Sequence, residues 1–474
     1  HRQARERSPV LSRDLALMSA TDLLAAYRAK TLSPVEATRA ALDRIAQLDS
    51  RYNAFCLVDE EGALAAARES EGRWHRGEPL GLVDGVPATI KDLLLSKGWP
   101  TLRGSRTVRR EQDWSEDAPS VARLREHGAV FLGKTTTPEF GWKGVTDNPL
   151  TGITRNPWDP EKTPGGSSGG AAVAAALGMG ALHLGTDGGG SIRIPAAFSG
   201  IFGLKQTFGL VPAYPLSPFG TVAHVGPMTR TVADAALMLT VLAGPDPRDW
   251  YALPPDGRDY RVGLDLGLKG RRIAWCPRLG GAVVDPEVAA VTTEAVKILA
   301  TLGAELEEAD PGLGNSRETF VRHWYPGAAN AIRALGPEER KLMDPGLVAI
   351  AEAGARLPLM DYLAAVRERE TMGQRMNLFH QDWDLLVTPA MPIAAFEAGR
   401  ETPAGSANGR WVDWTPFTYP FNLTRQPAAV VPCGFTAAGL PVALQIVGPL
   451  YGDAAVLQAA HAFELARPIP LPHV

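Results

Sequence analysis

Between Thr163 and Thr207 the chain reads TPGGSSGGAAVAAALGMGALHLGTDGGGSIRIPAAFSGIFGLKQT. Two glycine-rich patches, each carrying serine, flank a short helix-like run and a strand-like one. Glycine loses more conformational freedom on folding than any other residue, so dense glycine weakens a fold unless something requires it. Close approach of backbone to backbone, or of backbone to a ligand, is the requirement that fits a cluster of this density.

Three chemistries bring glycine and serine together. Phosphate binding uses backbone N–H groups at a helix start. No GxxxxGK-S/T run occurs, however, and Gly178-x-Gly180 has no third glycine at the required position. A nucleophile elbow is formally matched by Gly165-Gly166-Ser167-Ser168-Gly169. That elbow must follow a strand directly, whereas 155–164 is polar and holds three prolines, which a central strand does not tolerate. The third chemistry uses both patches. Attack on an amide carbonyl needs a serine oxygen, a route for its proton and donors for the developing oxyanion. Ser191 follows Gly188-Gly189-Gly190, whose successive N–H groups are unobstructed by side chains.

The proton acceptor is less evident. No SxxK motif is present, and His183 and His224, nearest in sequence to the serines, read as structural residues. Lysine replaces histidine where burial keeps its amine neutral. Lys91 closes the apolar run Val86-Pro87-Ala88-Thr89-Ile90, a stretch able to carry it inside. The pair Lys91-Asp92 also has the look of an exposed strand end, so residue pattern alone leaves both readings open.

Composition narrows the field. Hydrophobic residues make up 45% and charged residues 21%, ordinary for a globular protein, and the net charge of −4 offers no basic field for nucleic acid or anionic lipid. No apolar run approaches the ~20 residues needed to span a bilayer. The charged segment 1–13 lacks the apolar stretch of an intact signal peptide. Cys56, Cys276 and Cys433 are far apart, as expected for reduced thiols in a cytoplasmic protein. No metal site is legible: there is no HExxH and no Cys/His cluster.

Along the chain, strand-like runs at 86–95, 129–133, 181–185 and 201–204 alternate with helix-like runs at 120–127, 169–177 and 231–242. The alternation resumes with strands near 272–275, 304–308, 384–388, 428–435 and 442–447, a helix that Asp285-Pro286 starts, a long helix over 359–379 and a closing helix over 454–465. The pattern predicts an α/β fold, with a sheet covered by helices on both faces. We expect one domain spanning 1–474, with core motifs at 80–245 and 380–466 and a variable substrate-region insertion at about 245–380.

The motifs now assembled resemble those of the amidase-signature family. The matching pieces are Gly85-Val86-Pro87 with Ile90-Lys91-Asp92, Thr154-Arg155-Asn156-Pro157-Trp158, Pro164 to Gly170, Gly185 to Pro195, and Gly203-Leu204-Lys205. The resemblance implies a large, mixed, twisted β-sheet flanked by helices, and a Ser-cisSer-Lys triad. In it Ser191 is the nucleophile, Ser167 the bridging serine after a cis peptide bond, and Lys91 the general base. Gly188, Gly189, Gly190 and Ser191 would supply the oxyanion-hole amides. Ser168, Asp187 and Arg193 would support the site, and Gly141 and Trp142 would line the substrate pocket with Ser167. No cofactor and no metal is implied. The implied partner is a small-molecule amide, with no nucleic acid and no membrane; a homodimer is left open.

Within that family the alternative to a free-standing amidase is the glutaminase component of an aminoacyl-tRNA amidotransferase, its A-type subunit. That group carries tyrosines in the stretch matching 367–376, which are missing here, and Ser199 stands where many members have cysteine. Both departures favour the free-standing enzyme. For the pocket we single out Phe140, Trp142, Tyr214, Phe219, Trp324, Tyr325, Trp414, Phe417 and Phe421 as candidates for an apolar or aryl lining.

Overall fold

The computed structural model describes residues 9–406 and 408–474; the charged opening segment as far as Ser8 lies outside the described residues. The described residues form thirteen strands: β1 (Phe55–Val58), β2 (Pro87–Lys91), β3 (Val130–Thr135), β4 (Asp147–Asn148), β5 (Gly152–Ile153), β6 (Leu182–Asp187), β7 (Phe202–Lys205), β8 (His224–Thr229), β9 (Arg272–Trp275), β10 (Glu305–Glu308), β11 (Leu385–Pro389), β12 (Ala428–Phe435) and β13 (Pro441–Val447). All but the β4–β5 hairpin join one mixed sheet of 11 strands, ordered β1-β3-β2-β6-β8-β7-β12-β13-β11-β9-β10. β3, β2 and β6 run parallel, whereas β8, β7, β12 and β13 pair antiparallel. The 245–380 region, expected as an insertion, contributes β9 and the edge strand β10 to this same sheet.

The central strands are buried throughout, as a sheet covered on both faces requires. Alternation along β11 shows the two faces. Leu385 and Val387 enter the largest apolar cluster, with the helices Val232–Leu242, Pro286–Thr301 and Asp453–Ala466, while Leu386 enters another. The opposite side carries Gly169–Leu177 and Arg193–Ser199, two short helices with no exposed residue.

Local chemistry explains where elements begin and end. Ser33 caps Pro34–Tyr52 by accepting from the Val35 N–H, and Asp285 caps the helix that Pro286 opens by accepting from Glu287 and Val288. Gly128, with φ +87°, follows Pro119–Glu126. The strand expected over 86–95 stops at Lys91, because the Leu94 N–H turns back to the Lys91 carbonyl. β8 is not legible in the sequence, since Pro227 argues against a central strand. It is accommodated because the β7 pairing ends at Met228, one residue short of the proline. The helix Arg317–Ile332 is hidden for a similar reason: Pro326 lies inside it.

Candidate active site

β2 and β6 are parallel neighbours, so their carboxyl ends meet, the usual location of binding sites in open α/β sheets. Lys91 is the last residue of β2, and Thr186 and Asp187 are the last of β6. Ile90 lies in the main apolar cluster, so alternation turns Lys91 to the other face, where the Gly169–Leu177 helix starts.

The Lys91 side chain is fully buried. Its Nζ lies 2.5 Å from Ser167 Oγ, 2.8 Å from Ser168 Oγ and 2.7 Å from Thr186 Oγ1. The Ser168 hydroxyl donates to the Thr186 carbonyl and accepts from the Thr186 N–H, each at 3.1 Å. Its proton is therefore committed, and the lysine has to donate to it. Burial pulls the amine well below the ordinary lysine range, against the opposing pull of Asp187. In the neutral amine one N–H serves Ser168, which leaves one N–H and the lone pair for the Thr186 and Ser167 hydroxyls.

Close packing explains the glycines around these serines. A Cβ on Gly166 would lie 2.6 Å from the Val145 carbonyl, and one on Gly170 would lie 2.5 Å from the Ala54 oxygen. The Gly166–Ser167 peptide is cis. The second patch is organised by Asp187, which is fully buried. Its carboxylate accepts from the N–H groups of Gly190, Ile192 and Arg193 and pairs with the Arg193 guanidinium at 2.9 and 3.0 Å. Burial pushes this carboxyl up, but Arg193 and Asn422 outweigh it and hold the group well below the usual range. Arg193 in turn donates to the Thr418 carbonyl, Gln445 and Asn422.

The Gly190 amide is thus taken by Asp187 at 2.9 Å, which corrects its expected place among the oxyanion donors. Among the described residues the amides of Gly188, Gly189 and Ser191 have no acceptor. Ser191 precedes the Arg193–Ser199 helix, and its hydroxyl makes no hydrogen bond, to Ser167 or to any other described residue.

Ser167, Ser191, Thr186 and Gly188 border one cavity of about 450 Å³. Gly141 borders this cavity: its φ is +70°, and a Cβ there would lie 2.7 Å from Leu93 and 3.4 Å from Ser167 Oγ. Trp142 does not line it. Its ring is buried, its Nε1 donates to Asp344 at 3.2 Å, and it closes against Gly346. It acts one layer back, where its carbonyl accepts from the Trp324 indole at 3.0 Å. Of the other aromatic candidates, Phe140, Tyr214, Phe219 and Trp324 face the cavity, the last two stacked with centroids 3.9 Å apart. Tyr325, Trp414, Phe417 and Phe421 do not line it, whereas Phe208 and Tyr251, not singled out from the sequence, do.

Neither histidine hydrogen-bonds to Ser167 or Ser191, although His224 borders the cavity. His183 meets Thr89 Oγ1 at 2.7 Å and the Gly180 carbonyl, and burial lowers its pKa to about 3. His224 meets the Val222 carbonyl at 2.8 Å and lies 3.4 Å from Lys205 Nζ. Sequence reasoning misses Thr186, Thr418, Asn422 and Gln445. Thr186, directly before Asp187, is within reach of strand alternation, but nothing in the sequence ties Arg193 to residues more than 200 positions later.

Replacing Arg193 with Met would strand a buried carboxylate. We expect a stability loss of about 3–5 kcal/mol by denaturant titration, the usual cost of breaking a buried pair. With Asp187 no longer neutralised, the Lys91 amine would also be pulled back toward its charged form.

Comparison with known proteins identifies the family. The amidase family, described as "Amidase", matches residues 36–457. The acylamidase of Rhodococcus erythropolis is 41% identical over 462 residues, covering 96% of both chains. The A-type subunit of the glutamyl-tRNA(Gln) amidotransferase of Moorella thermoacetica is 36% identical, covering 95% of this chain and 97% of its own. Among solved structures, a bacterial aryl acylamidase of the amidase-signature family superposes with a TM-score of 0.90 at 31% identity, covering 96% of this chain and 97% of that one. The chain belongs to the amidase family, the amidase-signature enzymes. It is an amide-hydrolysing enzyme.

Proposed function

We propose that the enzyme hydrolyses a small-molecule carboxamide to a carboxylate plus ammonia or an amine through Ser191, Ser167 and Lys91. The surroundings of Lys91 support this reading: the amine is fully buried, one N–H is taken by Ser168, and Nζ lies 2.5 Å from Ser167 Oγ, where its lone pair can accept that proton. Lys91 takes the Ser167 proton while Ser167 takes that of Ser191, whose oxygen bonds to the amide carbon. The amides of Gly188, Gly189 and Ser191 receive the oxyanion, a role that preorganised donors perform at little reorganisation cost. The relay then reverses, the proton passes to the leaving nitrogen as the C–N bond breaks, and water cleaves the acyl-enzyme ester. A Ser191–Ser167 hydrogen bond forms as substrate seats, a common behaviour of catalytic hydrogen bonds.

A second reading, the glutaminase component of an aminoacyl-tRNA amidotransferase, is favoured by the 36% identity to that group. Against it, the 367–376 stretch lies on the helix Leu359–Asp382 and none of its residues borders the cavity. Arg369 instead clamps the Leu423 carbonyl at 2.7 Å and Thr221 at 2.8 Å. Assaying aliphatic, aryl and dipeptide amides for released amine separates the two. We expect turnover of an aryl or apolar amide by the isolated chain and none of glutamine. Glutamine hydrolysis confined to mixtures containing the tRNA machinery would reverse the assignment.

No described helix is long and apolar enough to cross a membrane. The three cysteines are unpaired, which supports a cytoplasmic setting.

A further inference from the structure

Arg103 stands on the cavity wall without a counter-charge. Its backbone is left-handed, with φ +58°, and its carbonyl accepts from the Phe140 N–H at 2.9 Å, which stitches it to the wall beside Gly141 and Ser167. Arg103 borders the same cavity as Ser167 and Ser191, and among the described residues its guanidinium makes no hydrogen bond and no ion pair. The acid that acts on it is Asp92, but Asp92 lies 3.2 Å from Lys134 Nζ, which also donates to Thr101 and to the Leu94 carbonyl. Lys134 therefore neutralises Asp92, and Arg103 remains the spare cation. Burial lowers the guanidinium's pKa, and Asp92, already paired with Lys134, opposes that only in part. Ser120, 1% exposed and bordering the same cavity, has a hydroxyl with no partner. A fully buried hydroxyl nearly always has a partner in a native protein, so the orphaned Ser120 and the unpaired, half-buried Arg103 on one cavity point to a group that a ligand supplies.

We propose that Arg103 determines specificity in this cavity, and that the substrate is an amide which also carries a carboxylate, paired by the guanidinium with the Ser120 hydroxyl as an additional donor. This rests on the amidase reading for the reaction but not for the binding. The apolar remainder of the wall, including Leu93, Phe140 and Trp324, receives the body of such a molecule while Arg103 orients it. A guanidinium–carboxylate pair is directional, so it also fixes which amide bond lies over Ser191.

Matched anilides test the proposal: N-phenylsuccinamic acid carries the carboxylate on the acyl side, 4-acetamidobenzoate carries it on the amine side, and each has a neutral methyl ester. We expect one acid to exceed its ester in kcat/KM by about 10- to 100-fold, the range of a charged hydrogen bond. In Arg103→Met that ratio collapses toward one, and Arg103→Lys restores part of it. Calorimetric titration of the same pairs into the Ser191→Ala protein, with and without Arg103→Met, reads affinity independently of turnover. Equal affinity for acid and ester in both pairs overturns the proposal, as does a preference that survives in a folded Arg103→Met protein. Binding of an acid through Arg103 with cleavage of no amide would leave this site standing and remove the amidase reading instead.

Discussion

Ser191→Ala is expected to lower kcat by roughly 10⁶-fold, the scale seen when a serine nucleophile is deleted from a hydrolase. The remaining rate should come from the Gly188 and Gly189 amides and from binding, which the substitution leaves in place. Stability should barely change, because the Ser191 hydroxyl has no hydrogen bond to lose. The wild-type protein should react with a fluorophosphonate at Ser191, and the variant should not. Mass spectrometry locates the label, and finding it on Ser167 would exchange the roles of the two serines. Turnover within tenfold of wild type would remove Ser191 from the mechanism.

Lys91→Met should lower kcat by about 10⁴-fold, the upper end for loss of a general base. Methionine keeps the stem's bulk, so the loss is chemical rather than a packing defect. The pH profile makes this role distinct. The relay needs the uncharged amine, so kcat/KM in the wild type falls as pH drops through the folded value of Lys91, which burial places well below the ordinary lysine range. Above that value the profile is level, and Lys91→Met should lose the acid limb. The stability linkage has a definite sign. A lowered folded pKa means that the unfolded chain binds the extra proton in the window between the two values. Stability therefore rises with pH across that window, and the destabilisation grows as pH falls through it. Lys91→Met should flatten this slope. An unchanged acid limb in a folded Lys91→Met protein would assign the base elsewhere.

Much of this was legible in the chain because short-range patterns carried it. Proline-opened helices, strands of apolar residues and the two glycine-serine patches all express local rules, and the serines sit where the motifs put them. The misses share a physical cause. Pro227 and Pro326 break local patterns that tertiary context tolerates: one lies where β8 pairs with β6 but no longer with β7, the other inside a helix packed on the core. Trp142 follows Gly141 in sequence, yet the left-handed turn at Phe140 and Gly141 sends it into the protein, toward Asp344. Gly190 has the composition of an oxyanion donor, but its N–H is captured by a carboxylate three residues earlier. Arg103 carries no motif at all, and its lack of a partner is a property of the folded surroundings.

The sheet order bears on how the protein is made. β12 and β13, among the last strands to leave the ribosome, fill the middle of the sheet between β7 and β11. Until they emerge, the early strands end in an open edge at β7, the kind of surface on which nascent chains associate wrongly. The charge of Arg193 waits equally long for Thr418, Asn422 and Gln445. A chain released before about residue 450 would have its serines and lysine but no finished cradle for them, so activity should arise only near the end of translation.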